Sequence, residues 1–215
     1  MAFRLVCYVS AVCAALVMAG CSRGYPLHEA AQRGDANRLE QLLAQGGRVD
    51  ARDEAGLTPL HTAAWYGQTE VCGLLIQKGT AVDSRDSQNG ETALLLACEK
   101  GHVETAELLI AKGAQVDAKA VDGSTALHWV SMLGEVEVAR VLLEKGADPN
   151  LKTKDKGWTP LHGAAVNGHV NVVKTLLEHG ARAAVKDAEG RTPLDLARQK
   201  GRDSVVEMLR AKDSS

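Results

Sequence analysis

Thr58-Pro59-Leu60-His61-Thr62-Ala63-Ala64 decides the fold, because the chain keeps returning to it. The same position recurs at Thr92-Ala93-Leu94-Leu95, Thr125-Ala126-Leu127-His128, Thr159-Pro160-Leu161-His162 and Thr192-Pro193-Leu194-Asp195. An earlier, degenerate copy is Tyr25-Pro26-Leu27-His28. Successive copies lie 33, 34, 33, 34 and 33 residues apart. Two glycine markers keep the same step: Gly34, Gly67, Gly101, Gly134, Gly168 and Gly201, then Gly46, Gly79, Gly113, Gly146 and Gly180. Three markers in phase are the signature of a repeat architecture.

Each marker has a physical task. Threonine is a good N-cap, its hydroxyl taking an orphan N–H of the first turn. Proline suits the next position, where a missing N–H is harmless. The first glycine suits a helix C-terminus that must turn left-handed before the chain reverses, and the second does the same for a following helix. Between them, residues such as Val103, Ala106, Leu109 and Ile110 carry apolar side chains at helical spacing. Segments such as Gly146-Ala147-Asp148-Pro149-Asn150 and Asp187-Ala188-Glu189-Gly190 read as turns. The spacing predicts an all-α solenoid, each unit a helix, a tight turn, an antiparallel helix and a hairpin-like loop.

This pattern resembles the ankyrin repeat. The resemblance rests on Thr-Pro-Leu-His, on Ala30-Ala31, Ala63-Ala64 and Ala164-Ala165, on Gly101-His102 and Gly168-His169, and on Leu-Leu before Gly-Ala. It spans residues 25–212 and implies about six units, 25–52, 53–85, 86–119, 120–152, 153–186 and 187–212, with a tail at 213–215. Some positions depart from the pattern. Tyr25 is a poor cap, and Ala93 and Ala126 stand where proline is usual. Val130-Ser131 replaces the alanine pair, which predicts a less closely packed helix. Two loops carry one extra residue, near Ser87-Gln88-Asn89 and Lys154-Asp155-Lys156.

The N-terminus is unlike the rest. Arg4 and the amino group precede the uncharged apolar run Leu5–Met18. That run is short for a membrane span of about 20 residues and suits a signal-peptide core. It ends in Ala19-Gly20-Cys21, which resembles the bacterial lipobox. The resemblance implies a signal peptide over 1–20, removal of that segment, and lipidation of Cys21 at the head of a 21–24 linker. The alternative is an ordinary secretory signal with a chance cysteine. Ser22 after the lipidated cysteine, in place of an aspartate, favours by the same resemblance the inner leaflet of the outer membrane, facing the periplasm. Several acyl chains, at about 0.8 kcal/mol per buried methylene, would anchor the protein stably.

Composition narrows the function classes. The formal net charge is −2 with 24% charged residues and no Lys/Arg run, so no long-range field draws in nucleic acid. Beyond the leader only Cys72 and Cys98 remain besides Cys21. Both fall on helical core positions of adjacent units, either as buried thiols or as a pair. His28, His61, His128 and His162 share the fourth position of the motif, where the resemblance implies a ring bonded to the backbone of the neighbouring loop. His102 and His169 follow first helices, and His179 sits near a helix C-terminus. No Cys-x-x-Cys, His-Glu-x-x-His, Gly-x-Ser-x-Gly or phosphate loop is present, and Asp50, Asp83, Asp117 and Asp148 read as turn residues. These residues predict no catalytic centre, no metal, no cofactor, and a monomer that binds another protein.

By resemblance, the binding face is concave and built from first helices and loop tips. Its variable helix positions are Gln32-Arg33, Trp65-Tyr66, Glu99-Lys100, Met132-Leu133, Val166-Asn167 and Gln199-Lys200. Its loop positions include Glu54, Leu57, Asn89, Glu91, Ser124, Lys156, Trp158, Glu189 and Arg191. Large apolar groups that a core does not need mark interaction sites, and Trp and Tyr lead among hot spots. The predicted partner-binding residues are Trp65, Tyr66, Met132, Leu133 and Trp158, with Trp129, Leu57, Glu99 and Lys100. The competing reading packs Trp65, Trp129 and Trp158 between units. The narrower function considered is an immunity or inhibitor protein against a periplasmic or membrane-acting toxin. Another is a factor in envelope or oxidative-stress maintenance.

Overall fold

The computed structural model describes residues 25–213, with side chains through Ala211. The expected signal segment 1–20, Cys21 with its linker, and the last two residues of the tail lie outside the described residues. Among the described residues there are twelve helices and no strand. They are α1 (Pro26–Arg33), α2 (Ala36–Ala44), α3 (Pro59–Trp65), α4 (Thr69–Gln77), α5 (Ala93–Glu99), α6 (Val103–Ala111), α7 (Ala126–Leu133), α8 (Val136–Glu144), α9 (Pro160–Asn167), α10 (Val170–Glu178), α11 (Pro193–Gln199) and α12 (Asp203–Asp213). The odd-numbered helices pack each on the next in one row, the even-numbered helices in a second, and each odd helix packs on the even one that follows.

Local chemistry sets the boundaries. Thr58, Thr125 and Thr159 cap α3, α7 and α9, each closing a reciprocal capping box with the histidine three residues on. Asp195 replaces the histidine in the same box at Thr192. Tyr25 makes no side-chain cap bond. The consequence reaches the ring it should have met: His28 Nδ1 is buried without a partner. Gly67 ends the α3 turn at φ 67°, and a Cβ there would sit 2.7 Å from the His102 ring. Glycine is therefore required twice, for its backbone angle and for the close approach of the next unit.

The core repeats as the sequence does. Leu60, Leu94, Leu127 and Leu161 of the first-helix row are buried against Leu75, Leu109, Leu142 and Leu176 of the second row. Each buried leucine contributes about 1.5–3 kcal/mol. Val130 and Ser131 are completely enclosed, so the departure from the alanine pair does not open that turn of α7. The irregularity surfaces elsewhere, in a Ser131 hydroxyl that is buried without a partner.

Loop tips add a continuous edge. Asp53, Asp86, Asp122 and Asp187 each hold their own turn, carboxylate oxygens accepting backbone N–H groups two to five residues on. Asp148 does the same through Asn150 N–H. Asp83 and Asp117 differ from the expectation: they accept N–H groups of Gln115 and Asp148, in the following unit. Backbone bonds then join neighbouring tips, Ser87 N–H to Ala55 O, Val121 to Asn89, Lys154 to Asp122 and Ala188 to Lys156.

Candidate functional site

The face built by the odd helices and the loop tips is held in place by two sets of side-chain ties. The first uses the motif histidines. His61 Nδ1 accepts the Thr58 N–H at 3.1 Å and meets the Thr58 hydroxyl at 2.8 Å. Its proton must therefore sit on Nε2, which donates to Ser84 O at 2.9 Å and Glu91 O at 3.2 Å, in the next loop. His128 and His162 repeat the arrangement, reaching Trp158 O and Arg191 O, and His28 reaches Leu57 O. A neutral ring is required for this pattern. Burial pulls all four below the usual histidine range, His128 to about 4. These rings thus position the loop residues at 57, 91, 158 and 191.

The second set follows the first glycine marker. Gln68, His102, His169 and Arg202 reach back and donate to Gln32 O, Trp65 O, Met132 O and Val166 O. These carbonyls belong to the residues expected to face a partner. Glu135, in the same position, is a carboxylate and has no N–H to give. Sequence reasoning saw His102 and His169 only as residues after a helix. The signal was available: the residue after each marker glycine is a hydrogen-bonding side chain in every unit but the first and fourth, where it is acidic.

The expected contact residues fall on this face with unequal exposure. Trp65, Tyr66, Leu57, Met132, Trp158 and Glu99 are half-buried, Lys100 is exposed, and Leu133 is 43% exposed. Lys100 Nζ lies 3.7 Å from the Trp65 ring centroid and 3.8 Å from Glu99. Trp158 donates Nε1–H to Asp187 Oδ2 at 3.2 Å, stacks on His162 and has Lys156 Nζ 4.8 Å from its ring. Trp129 is sealed to 8% exposure, deeper than its place one turn earlier on the helix predicts. Its Nε1–H is buried without a partner. The packing reading therefore holds for Trp129, while Trp65 and Trp158 are shared between cohesion and surface.

Between α7 and α9 the face opens into a pocket of about 100 Å³. Trp129 and Met132 of α7, Gly163 of α9 and Trp158 of the intervening loop line it, with Asp122, Asp155 and Lys156 from the tips. A second, more open hollow of about 490 Å³ lies beyond Trp158, toward α11. Glu91, on the neighbouring tip, is buried, and its carboxyl is pushed up to about 7 by desolvation and then by Glu99, Asp86 and Asp122. The hydroxyl–imidazole contacts of Thr58, Thr125 and Thr159 with His61, His128 and His162 are buried helix caps. Among the described residues no group of three His, Cys, Asp or Glu side chains could hold a metal. Cys72 and Cys98 are free and buried, and desolvation raises both thiols, Cys72 to about 12. No helix among the described residues is long and apolar enough to cross a membrane.

A family model described as "Ankyrin repeats (3 copies)" matches residues 5–86, 79–153 and 148–215. The chain belongs to the ankyrin-repeat family. An ankyrin repeat domain from Acinetobacter baumannii AYE, solved by crystallography, is 31% identical, with a TM-score of 0.78 over 87% of this chain and 97% of that one. No curated protein sequence matches significantly. As many as 644 solved chains share the fold, so the likeness identifies the scaffold and leaves the partner to the site. On this ankyrin face, sequence reasoning did not single out Gly163, Asp122, Asp155 or Val121, the last 63% exposed at a loop tip. Aligning the residue after the fourth motif position would have found the first: Glu29, Thr62, Leu96, Trp129, Gly163 and Leu196 occupy one row, and only there does a tryptophan precede a glycine.

Proposed function

We propose that this ankyrin-repeat protein is a non-enzymatic scaffold, lipid-anchored through Cys21, that docks a partner protein on its first-helix face in the periplasm. The observation that carries the docking reading is the pocket walled by Trp158 and by Trp129 and Met132, on the helix that also carries the exposed Leu133. A stack of helices gains nothing by leaving Met132, Leu133 and Trp158 partly uncovered at mid-array, whereas recognition requires such groups. The anchoring reading rests on Arg4, the Leu5–Met18 run and Ala19-Gly20-Cys21. The short linker, Ser22 to Gly24, would keep the six units over 25–212 close to the bilayer.

Two measurements test these parts separately. Metabolic labelling with a fatty acid should mark the wild-type chain and spare Cys21→Ser; label on the variant would refute the anchor. Affinity capture from envelope extracts should recover a partner with the wild type and lose it with Trp65→Ala/Trp158→Ala while helical circular dichroism is unchanged. A partner retained by that double variant places docking elsewhere.

A further inference from the structure

Gly163 is the one lining residue of the pocket between α7 and α9 that lacks a side chain. Gly163 follows the capping histidine of α9, where α7 has Trp129 and α11 has Leu196. A Cβ at Gly163 would lie 2.8 Å from Met132 Cγ, so Met132 lies over the place a side chain would occupy. The gap that remains beside Trp129 has indole walls and two carboxylates, Asp122 and Asp155, among its lining groups.

We propose that this pocket is a socket for an arginine side chain presented on an exposed segment of the partner protein. The proposal rests on the reading of this face as the docking face and gives that partner a chemistry. Three features select the guanidinium. First, the rings here already attract cations: Lys100 lies over Trp65 and Lys156 over Trp158. Second, the field is negative. Asp122 and Asp155 line the pocket, and the repulsion felt by buried Glu91 comes from Glu99, Asp86 and Asp122 together. An acidic partner would be repelled, and an apolar tip would take water from two carboxylates without replacing it. Third, a planar fork can lie flat on an indole while its N–H groups reach carboxylates on two different loop tips, which an ammonium cannot match. Trp129 Nε1–H, buried and unpartnered, is a donor that a guanidinium cannot satisfy, and it is left to a backbone carbonyl of the segment that presents the arginine. Lys156 is the one cation on the rim, and it must stay on the Trp158 ring for the socket to remain open.

The chain has three tryptophans, so three indole N–H signals report on the face directly. The full chain, isotope-labelled at tryptophan and assigned with single Trp→Phe variants, is titrated with acetyl-Gly-Gly-Arg-Gly-Gly-amide. Control peptides carry lysine, citrulline or norleucine in place of arginine. The expected result is a saturable shift of the Trp129 and Trp158 signals with Trp65 unmoved, and roughly tenfold weaker binding of the neutral citrulline and norleucine peptides, as befits charge-assisted bonds. Asp122→Asn/Asp155→Asn, at exposed positions, should weaken the arginine peptide by a similar factor; Gly163→Leu should abolish its shift. A lysine or norleucine peptide that binds as tightly as arginine overturns the proposal. So does an unchanged affinity in the double Asn variant, or no saturable shift at about 50 mM peptide, far above the millimolar range of weak binding. If arginine fails while partner capture still depends on Trp65 and Trp158, the docking face stands and the socket alone is wrong. If capture is also insensitive to those residues, both fall.

Discussion

Trp65 and Trp158 stand on either side of mid-array, both half-buried and both with a lysine ammonium near the ring. Around Trp65 charged side chains cover the ring. Lys100 bridges the ring and Glu99, and Glu91 packs beside them out of water. Around Trp158 the surface is hollow, with a cavity on each side of the ring. The two regions share threonine N-caps and core leucines. Among the positions where they differ are Glu91 against Trp158 at the loop and Leu96 against Gly163 on the helix. A repeat scaffold thus separates cohesion from recognition: the residues that close the core are copied, and those that shape the face are free to vary.

The comparison can be broken first at the core. Leu60→Ala and Leu127→Ala remove equivalent, fully buried side chains from α3 and α7. Each should lose about 2–5 kcal/mol of unfolding free energy in urea, and by similar amounts. A much smaller loss at Leu127 would mean that the hollow region is also loosely built.

Acid sharpens the comparison next. The folded His128 titrates at about 4 against an ordinary 6.5, so the unfolded chain takes up its proton first as pH falls. Stability should therefore drop as pH is lowered through the window from 6.5 to 4, His128 accounting for about 3 kcal/mol at its end. Denaturant midpoints across that window, falling less steeply for His128→Gln than for wild type while His28, His61 and His162 keep their share, are the check. Glu91 works in the opposite direction and only on the Trp65 side. Its folded carboxyl is near 7, above its ordinary 4.5, so the folded state keeps a proton that the unfolded chain has already lost. Its contribution falls as pH rises from 4.5 to 7. Glu91→Gln should stabilise the protein at pH 8, by at most about 3 kcal/mol, and leave it unchanged at pH 4. Equal effects at both pH values would remove the charge repulsion from the account.

The smallest effect expected is at Lys100. Lys100→Ala should cost less than about 1 kcal/mol, as exposed cation–π pairs do, yet raise acrylamide quenching of Trp65. Lys156→Ala should change Trp158 quenching less, because cavities already flank that ring.

How much of this was legible in the chain follows from the range of each interaction. Helix starts at Thr58 or Thr159 and the left-handed turns at the glycines depend on residues within one turn, and both could be read directly. The motif histidines were legible as ties through the resemblance to the ankyrin repeat, which implies that role for the fourth motif position. Trp129 was not: its burial depends on Met132 and on what Gly163 lacks 34 residues away. The turn aspartates were misassigned for a similar reason. Asp83 and Asp117 look like Asp148 in sequence, but the N–H groups they accept come from the following unit. Cys21 and the leader stay where the sequence left them, outside the described residues.

The ties that follow the marker glycines all point one way. His102 holds the carbonyl of Trp65, His169 that of Met132 and Arg202 that of Val166, each from the unit on the C-terminal side. The stack therefore has a grain. The helix contacts Trp65, Met132 and Val166 are braced by their downstream neighbours, so shortening the chain from its C-terminus would unbrace that row one step ahead of the cut. The terminal pair α11 and α12, which offers few apolar groups to a visitor, earns its place as the backstop for α9.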